Sequence, residues 1–228
     1  MTQQFAVEQD VPTHQTPKSC LEGVRRWPDD AARAWTITAI EQAIADETIQ
    51  AIVATGSSVR NVEFSDDLDL VFVYRKCRPA MPRPPISIDL RGYDEAEVTQ
   101  KLTEGHNYLS WTVRFGQVLI ERDGWWTRLR ADWNDRLCLP SSAEAWARAE
   151  KAKSLSNELR DAGDEDAADE LQLSSLTHAC RAELSRAQIF AKSRPELVGQ
   201  LREIGQHGLA DQLAAALDRR IKSQHSGR

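Results

Sequence analysis

Between residues 49 and 121 four short apolar runs stand apart, each bounded by turn-forming residues: AIVAT at 51–55, LDLVFVY at 68–74, ISIDL at 86–90 and QVLIE at 117–121. Runs of that length and make-up are strands, and the stretches between some of them are long enough for helices, so this part folds as a sheet with flanking helices. After Pro140 the period changes. Leu173, Leu176, Cys180, Leu184 and Ala187 recur at three and four, and Leu197, Leu201, Leu209, Leu213 and Leu217 continue the pattern, which predicts a helical bundle. The expected fold is therefore α+β, a mixed sheet with flanking helices, followed by an all-α bundle. The expected organisation is a tail over 1–28, a sheet-containing domain over 29–139, a helical domain over 140–222 and a short tail over 223–228.

Finer signals fill in this outline. Asp29 or Asp30 caps a helix running to about Ala45, with Ala34, Ile37, Ile40 or Glu41 and Ile44 spaced for one inward face. The proline-rich CRPAMPRPP segment has no room for a crossover helix, which predicts an antiparallel, hairpin-like link between the second and third strands. Residues 94–115 supply helices for one sheet face. Ser141 and Glu144 form a capping-box pattern, that helix ends near Gly163, and Pro195 sits at a first-turn position.

The chain has 228 residues, 41% of them hydrophobic, enough for a substantial core. A net charge of -6 argues against gripping long nucleic acid or a lipid surface. Cys20, Cys77, Cys138 and Cys180 are scattered, without the spacing of a zinc site or a disulfide framework. With no apolar run of membrane-spanning length and no signal-peptide pattern at the start, a cytoplasmic location is expected.

Chemistry concentrates in ATGSSVRNVEFSDDLDLVFVY. One strand ends at Gly56-Ser57 and the next opens with Asp67-Leu68-Asp69-Leu70. Alternation along a strand puts Asp67 and Asp69 on one face and Leu68 and Leu70 in the core. Carboxylates held that close repel each other unless a cation sits between them. Oxygen ligands on a rigid strand suit Mg²⁺, which takes the rest of its shell from phosphates and water. Gly56 lets the backbone approach an anion, Ser57 can donate to phosphate oxygens, and Arg60 offers a planar fork for phosphate. Asp89, on the next strand, reaches the same edge if the two strands pair, and would complete a two-metal site and help deprotonate an attacking hydroxyl. Asp66 adds a carboxylate, but its partner two residues on would be Leu68. Asp67 and Asp69 are therefore the ligand pair, and Asp66 tunes the field or caps the turn.

This arrangement resembles the DNA polymerase beta-like nucleotidyltransferase superfamily, in which a strand ending in Gly-Ser or Gly-Gly is followed by Asp-x-Asp on a strand and a later Asp. Gly56-Ser57-Ser58-Val59-Arg60 is similar to the Gly-Ser-x-x-Arg of minimal and antibiotic-type members, and Ser65-Asp66-Asp67-Leu68-Asp69 to their Ser-Asp-x-Asp. FGQVLIERDGWW at 115–126 looks like the strand that follows their catalytic helices. The likeness covers residues 30–135, and the C-terminal helices match no motif. It implies a nucleotidyltransferase that moves a nucleoside monophosphate from an NTP, ATP among them, to a hydroxyl of an acceptor with release of pyrophosphate. Asp67, Asp69 and Asp89 would be the metal and catalytic residues for Mg²⁺, or Mn²⁺ in its place, and Gly56, Ser57 and Arg60 the nucleotide-binding ones. The acceptor could be a small molecule, a protein or an RNA end. A non-catalytic, antitoxin-type regulatory module acting through a protein partner is the alternative.

Other features have plainer readings. Trp125 and Trp126 suit core packing more than base stacking. His178 reads as packing or capping, and His106-Asn107 as a helix boundary. Arg202 and His207 have the Arg-x4-His spacing of HEPN-type ribonucleases, but side chains five apart on one helix point about 140° apart, and Gly205 between them favours a helix break.

Overall fold

The computed structural model describes residues 20–60, 65 and 67–226, with side chains to residue 222. Strands β1 (Ile49–Thr55), β2 (Leu68–Tyr74), β3 (Ile88–Asp94) and β4 (Gln117–Glu121) form one mixed sheet in the order β3-β2-β1-β4. β1 runs antiparallel to β2 and β4, whereas β2 and β3 are parallel. Period-two alternation divides the core between two faces. Leu68, Leu70 and Phe72 of β2 join Ile52 and Ile40 on one side, and Val71 and Val73 join Val53, Val98 and Trp126 on the other.

Helix α1 (Asp30–Ala45) covers the first face, capped by Asp29, whose carboxylate accepts from the Ala32 amide at 2.6 Å. Its inward stripe is Ala32, Thr36, Ala39, Ile40 and Ala43, while Ala34 and Ile44 face outward. The expected face is thus rotated. Alanines and a threonine suit a helix lying close to the sheet, and their weak hydrophobic signal is outvoted in the sequence by the larger isoleucines. Thr36 satisfies its hydroxyl on the Ala32 carbonyl at 2.8 Å. Helices α2 (Glu95–Thr103), α3 (Asn107–Phe115) and α4 (Trp125–Trp133) cover the second face. α4 was not expected from sequence, and it places Trp126 fully inside the core. His106 caps α3, its Nδ1 accepting from the Leu109 amide.

The link between β2 and β3 corrects the expectation of a hairpin. Pairing is parallel, so residues 75–87 carry the chain back along the length of β2, about 23 Å, which a proline-rich extended segment covers at about 3.1 Å per residue without a helix. The segment packs on the way: Met81 lies against the first core, Gln42 Nε2 donates to the Ala80 carbonyl at 2.8 Å, and Arg78 stands over the Phe72 ring. β3 also begins later than ISIDL implied, leaving Ile86 wholly exposed, and continues to Asp94.

Of the expected N-terminal tail, residues 1–19 lie outside the described residues. Cys20, Leu21 and Val24 are buried, and the Arg25 amide donates to the Ser58 carbonyl at 2.9 Å, so residues 20–25 strap onto the sheet.

Beyond residue 140 the structure is helical: α5 (Ser142–Asp161), α6 (Glu165–Arg186), a short turn Arg194–Glu196, α7 (Leu197–Glu203) and α8 (His207–Ser226). α5 and α6 form a close hairpin reversing at Gly163, whose φ of +83° favours glycine. Buried small residues let the helices approach, and Ser156 and Ser175 donate across the seam to the carbonyls of Ala168 and Ala149 at 2.7 and 2.8 Å. Ser141 caps α5, but Glu144 is held by Arg148; the reciprocal capping box forms at Ser193 and Glu196 instead. Leu176, Cys180, Leu184, Leu197, Leu201 and Leu213 fill the bundle core, while Ala187 is exposed. α8 extends past the expected boundary at residue 222. Among the described residues no helix is long and apolar enough to cross a membrane, and none of the four cysteines is in a disulfide.

Candidate active site

β1 delivers the chain to Gly56, whose φ of +81° turns it sharply into a short turn at Ser57–Val59. That conformation alone favours glycine, and a second constraint acts on the same atom. A Cβ on Gly56 would stand 2.2 Å from Oδ2 of Asp69, because the Asp69 carboxylate lies directly over the glycine α-carbon. Thr55 and Asp69 are paired across the antiparallel ladder, so sheet register produces the contact. Ser57 Oγ and Ser65 Oγ lie 2.9 Å apart, and Ser65 donates to the Asp67 carbonyl at 2.8 Å, which ties Asp67 to the turn after β1. Asp66 falls outside the described residues.

Asp69 is half-buried and Asp67 exposed. Burial, then the charges of Asp67 and Asp89, push the Asp69 carboxyl up to about 7. Arg91 and Tyr108 act in the opposite direction without cancelling the effect. The Tyr108 hydroxyl is buried beside this carboxylate without a well-formed hydrogen bond, and the Thr55 hydroxyl is likewise buried and unpartnered. Both line the same cavity as Gly56, Ser57, Asp67 and Asp69. Orphaned hydroxyls beside crowded carboxylates mark a place built for a polar occupant.

Parallel pairing sets Asp89 directly beside Asp69. Its carboxylate, however, turns to Arg91, with hydrogen bonds of 2.6 and 3.0 Å from the guanidinium, which in turn stacks 4.0 Å over Tyr108. Among the described residues no group of three His, Cys, Asp or Glu side chains is arranged to hold a metal. Asp67 and Asp69 thus share a place, and Asp89 is adjacent but engaged.

Arg60, expected to meet phosphate, is engaged by a carboxylate of the helical half. Its Nε and Nη2 donate to the two carboxylate oxygens of Glu196 at 2.9 and 2.7 Å, and the guanidinium lies 5.1 Å over the Phe115 ring. Burial opposes ionisation of Glu196, but hydrogen bonds from Arg60 and Ser193 hold its carboxyl below the ordinary range. The guanidinium is occupied, and it joins the sheet half to the helical half. Trp111 Nε1 donating to the Ala191 carbonyl at 3.0 Å and Phe115 against Phe190 make the same joint.

The cavity itself, about 870 Å³, opens between the two halves. Its far wall is helical and contains Arg148, His178, Arg181 and Arg194. Sequence reasoning assigned these residues no role, and His178, read as packing, faces this space. The cluster draws on two helices and a turn that only folding brings together, so no local motif announces it. Arg202 and His207 lie on separate helices with the chain broken at Gly205, φ +77°, and Arg202 pairs with Asp211 at 3.0 Å, as the helix-break reading expected.

No family model matches this sequence, and no curated protein matches it. Among solved structures the chain is similar to a nucleotidyltransferase-like protein from Exiguobacterium sibiricum 255-15, at 18% identity and a TM-score of 0.37, over 82% of this chain and 71% of that one.

Proposed function

We propose that the protein is a metal-dependent nucleotidyltransferase that transfers a nucleoside monophosphate from an NTP to an acceptor hydroxyl. The observation that carries this reading is the Asp67–Asp69 pair in one large cavity, with Asp69 lying against Gly56 and its carboxyl raised to about 7. A pair that resists ionising together is poised to accept a cation. Two carboxylates with room for phosphates and water suit Mg²⁺, which does not need a three-carboxylate cage of protein ligands. Mg²⁺ held there supplies charge neutralisation at the reacting phosphate.

The chain's own groups do the rest. Gly56 lets the Asp69 carboxylate lie against the backbone, and the Ser57 amide and hydroxyl donate to the triphosphate oxygens. The bond from the acceptor oxygen to the α-phosphorus forms as the bond to pyrophosphate breaks. Asp89, once released from Arg91, takes the proton of the attacking hydroxyl. Arg60, tied to Glu196, positions the halves of the cleft and does not grip phosphate.

A regulatory module acting through a protein partner is the second reading, favoured by the engagement of Asp89 with Arg91 and the lack of a three-carboxylate cluster among the described residues. Thermal melting with Mg²⁺ and each NTP, alongside pyrophosphate release with pooled acceptors, separates the two. On the enzyme reading Mg²⁺ with its preferred NTP raises Tm by several degrees, since saturation to a hundred times Kd adds about 2.7 kcal/mol. D67N and D69N should each lower transfer at least about a hundredfold while remaining folded. A folded protein whose Tm moves with no NTP points to the regulatory module.

A further inference from the structure

We propose that the helical wall of the cavity is a second anion site, formed by Arg148, Arg181, Arg194 and His178, which receives the phosphate group of a small, hydroxyl-bearing phosphate monoester, the acceptor. The proposal rests on the nucleotidyltransferase reading and narrows it to one class of acceptor.

Three guanidinium groups and an imidazole line one wall of a single cavity. His178 and Arg181 lie three apart on α6 and so share a face, while α5 brings Arg148 and the turn before α7 brings Arg194. The wall's carboxylates, Glu144, Glu170 and Asp218, offset part of this charge. Glu144 reaches Arg148 at 3.4 Å, and Glu170 is shared between Arg194 at 3.7 Å and Arg220 at 3.3 Å. Lys192 adds a further cation and Asp218 a further carboxylate to the cavity lining. Arg181 makes no ion pair among the described residues; burial and then Arg194 and Arg148 disfavour its charge. His178 feels the same field, lowered by burial and then by Arg181, Arg148 and Arg194. In a chain with a net charge of -6, crowding cations in a recess is unfavourable unless an anion enters.

The two sets of residues come from different parts of the fold: Asp67 and Asp69 from the sheet half, and Arg148, His178, Arg181 and Arg194 from the helical half. Two anion-handling places therefore lie in one cavity, whose volume is near the upper end of small-molecule sites, about 300–1,000 Å³. A nucleotide held at Gly56, Ser57 and the Asp pair leaves the helical wall to the acceptor. Guanidinium forks match phosphate oxygens, and they repel a polycationic acceptor of the aminoglycoside type.

Calorimetric titration of the full chain tests this, using ribose 5-phosphate, ribose and inorganic phosphate, each with and without saturating Mg²⁺ and a non-hydrolysable NTP analogue. Ribose 5-phosphate should bind and ribose should not, and its affinity should hold within about threefold when the nucleotide is present. R181Q should weaken it at least about tenfold, the scale of a charge-assisted contact, with nucleotide affinity kept within about twofold. R148Q, at a half-exposed side chain that tolerates replacement, repeats the comparison should R181Q not fold. Competition between ribose 5-phosphate and nucleotide, or equal weakening of the nucleotide in R148Q, would assign the cations to the triphosphate and overturn the proposal, as would binding that does not depend on phosphate. Phosphate binding that is lost in R148Q, in a protein that binds no Mg²⁺-nucleotide, supports the anion site and sinks the transferase reading instead.

Discussion

Asp69 stands where its charge is least welcome, over the α-carbon of Gly56 and facing a second carboxylate. Its ordinary pKa in the unfolded chain is about 3.9, and in the fold it is about 7. The folded state thus holds a proton that the unfolded state has already lost across this window, and stability falls as pH rises from about 4 to about 7. The upper limit of that loss is about 4 kcal/mol, reduced by the solvent that still reaches the group. D69N removes the titration, so urea unfolding at pH 5 and pH 7.5 without metal should show a drop in the wild type that is much smaller in the variant. Equal drops would place the strain elsewhere. The cluster of Gly56, Ser57, Asp67 and Asp69 was legible in the sequence because a strand end and a strand start lie close in the chain and the sheet aligns them. The place of Asp89 beside Asp69 was legible as a consequence of strand pairing, whereas the engagement of Asp89 and of Arg60 was not. What engages them, Arg91 and a Glu196 lying 136 residues away, is decided by packing.

At the level of elements, three strands and most helices agree with the periodic pattern because β-branched runs and capping residues act locally. The parallel course of β3 was hidden, since a proline-rich crossover and a hairpin link look alike until the segment finds something to pack on. α4 was hidden by its shortness and its two leading tryptophans. The joint between halves is also an element-level device: a bidentate ion pair sandwiched on Phe115, mostly shielded from water. E196Q leaves the Arg60 charge without its anion and should destabilise by about 1–3 kcal/mol, a fall in Tm of roughly 2–10 °C. R60M/E196M removes both charges and should recover part of that loss. A double variant no better than E196Q would show that packing on Phe115, not charge, holds the joint.

Across the whole molecule the cysteines report on each half separately. Cys20 belongs to the strap on the sheet and Cys180 to the bundle core, both buried, while Cys77 and Cys138 are exposed. Burial also pushes the Cys180 thiol up to about 12. An aromatic disulfide reagent should titrate two thiols rapidly in the native protein and the other two only on unfolding, with four fast thiols contradicting the packing of the strap and the bundle.

The turn Arg194–Glu196 faces two ways. Arg194 belongs to the cavity wall and Glu196, two residues on, to the joint with Arg60, within one hydrogen-bonded turn. A turn so short moves as a single piece, and both residues belong to the helical half, so if the halves part at Glu196, Arg194 travels with Arg148, His178 and Arg181 while Asp67 and Asp69 stay with the sheet. The molecule thereby has the logic of a hinged case: opening it separates the two sides of the cavity without dismantling either.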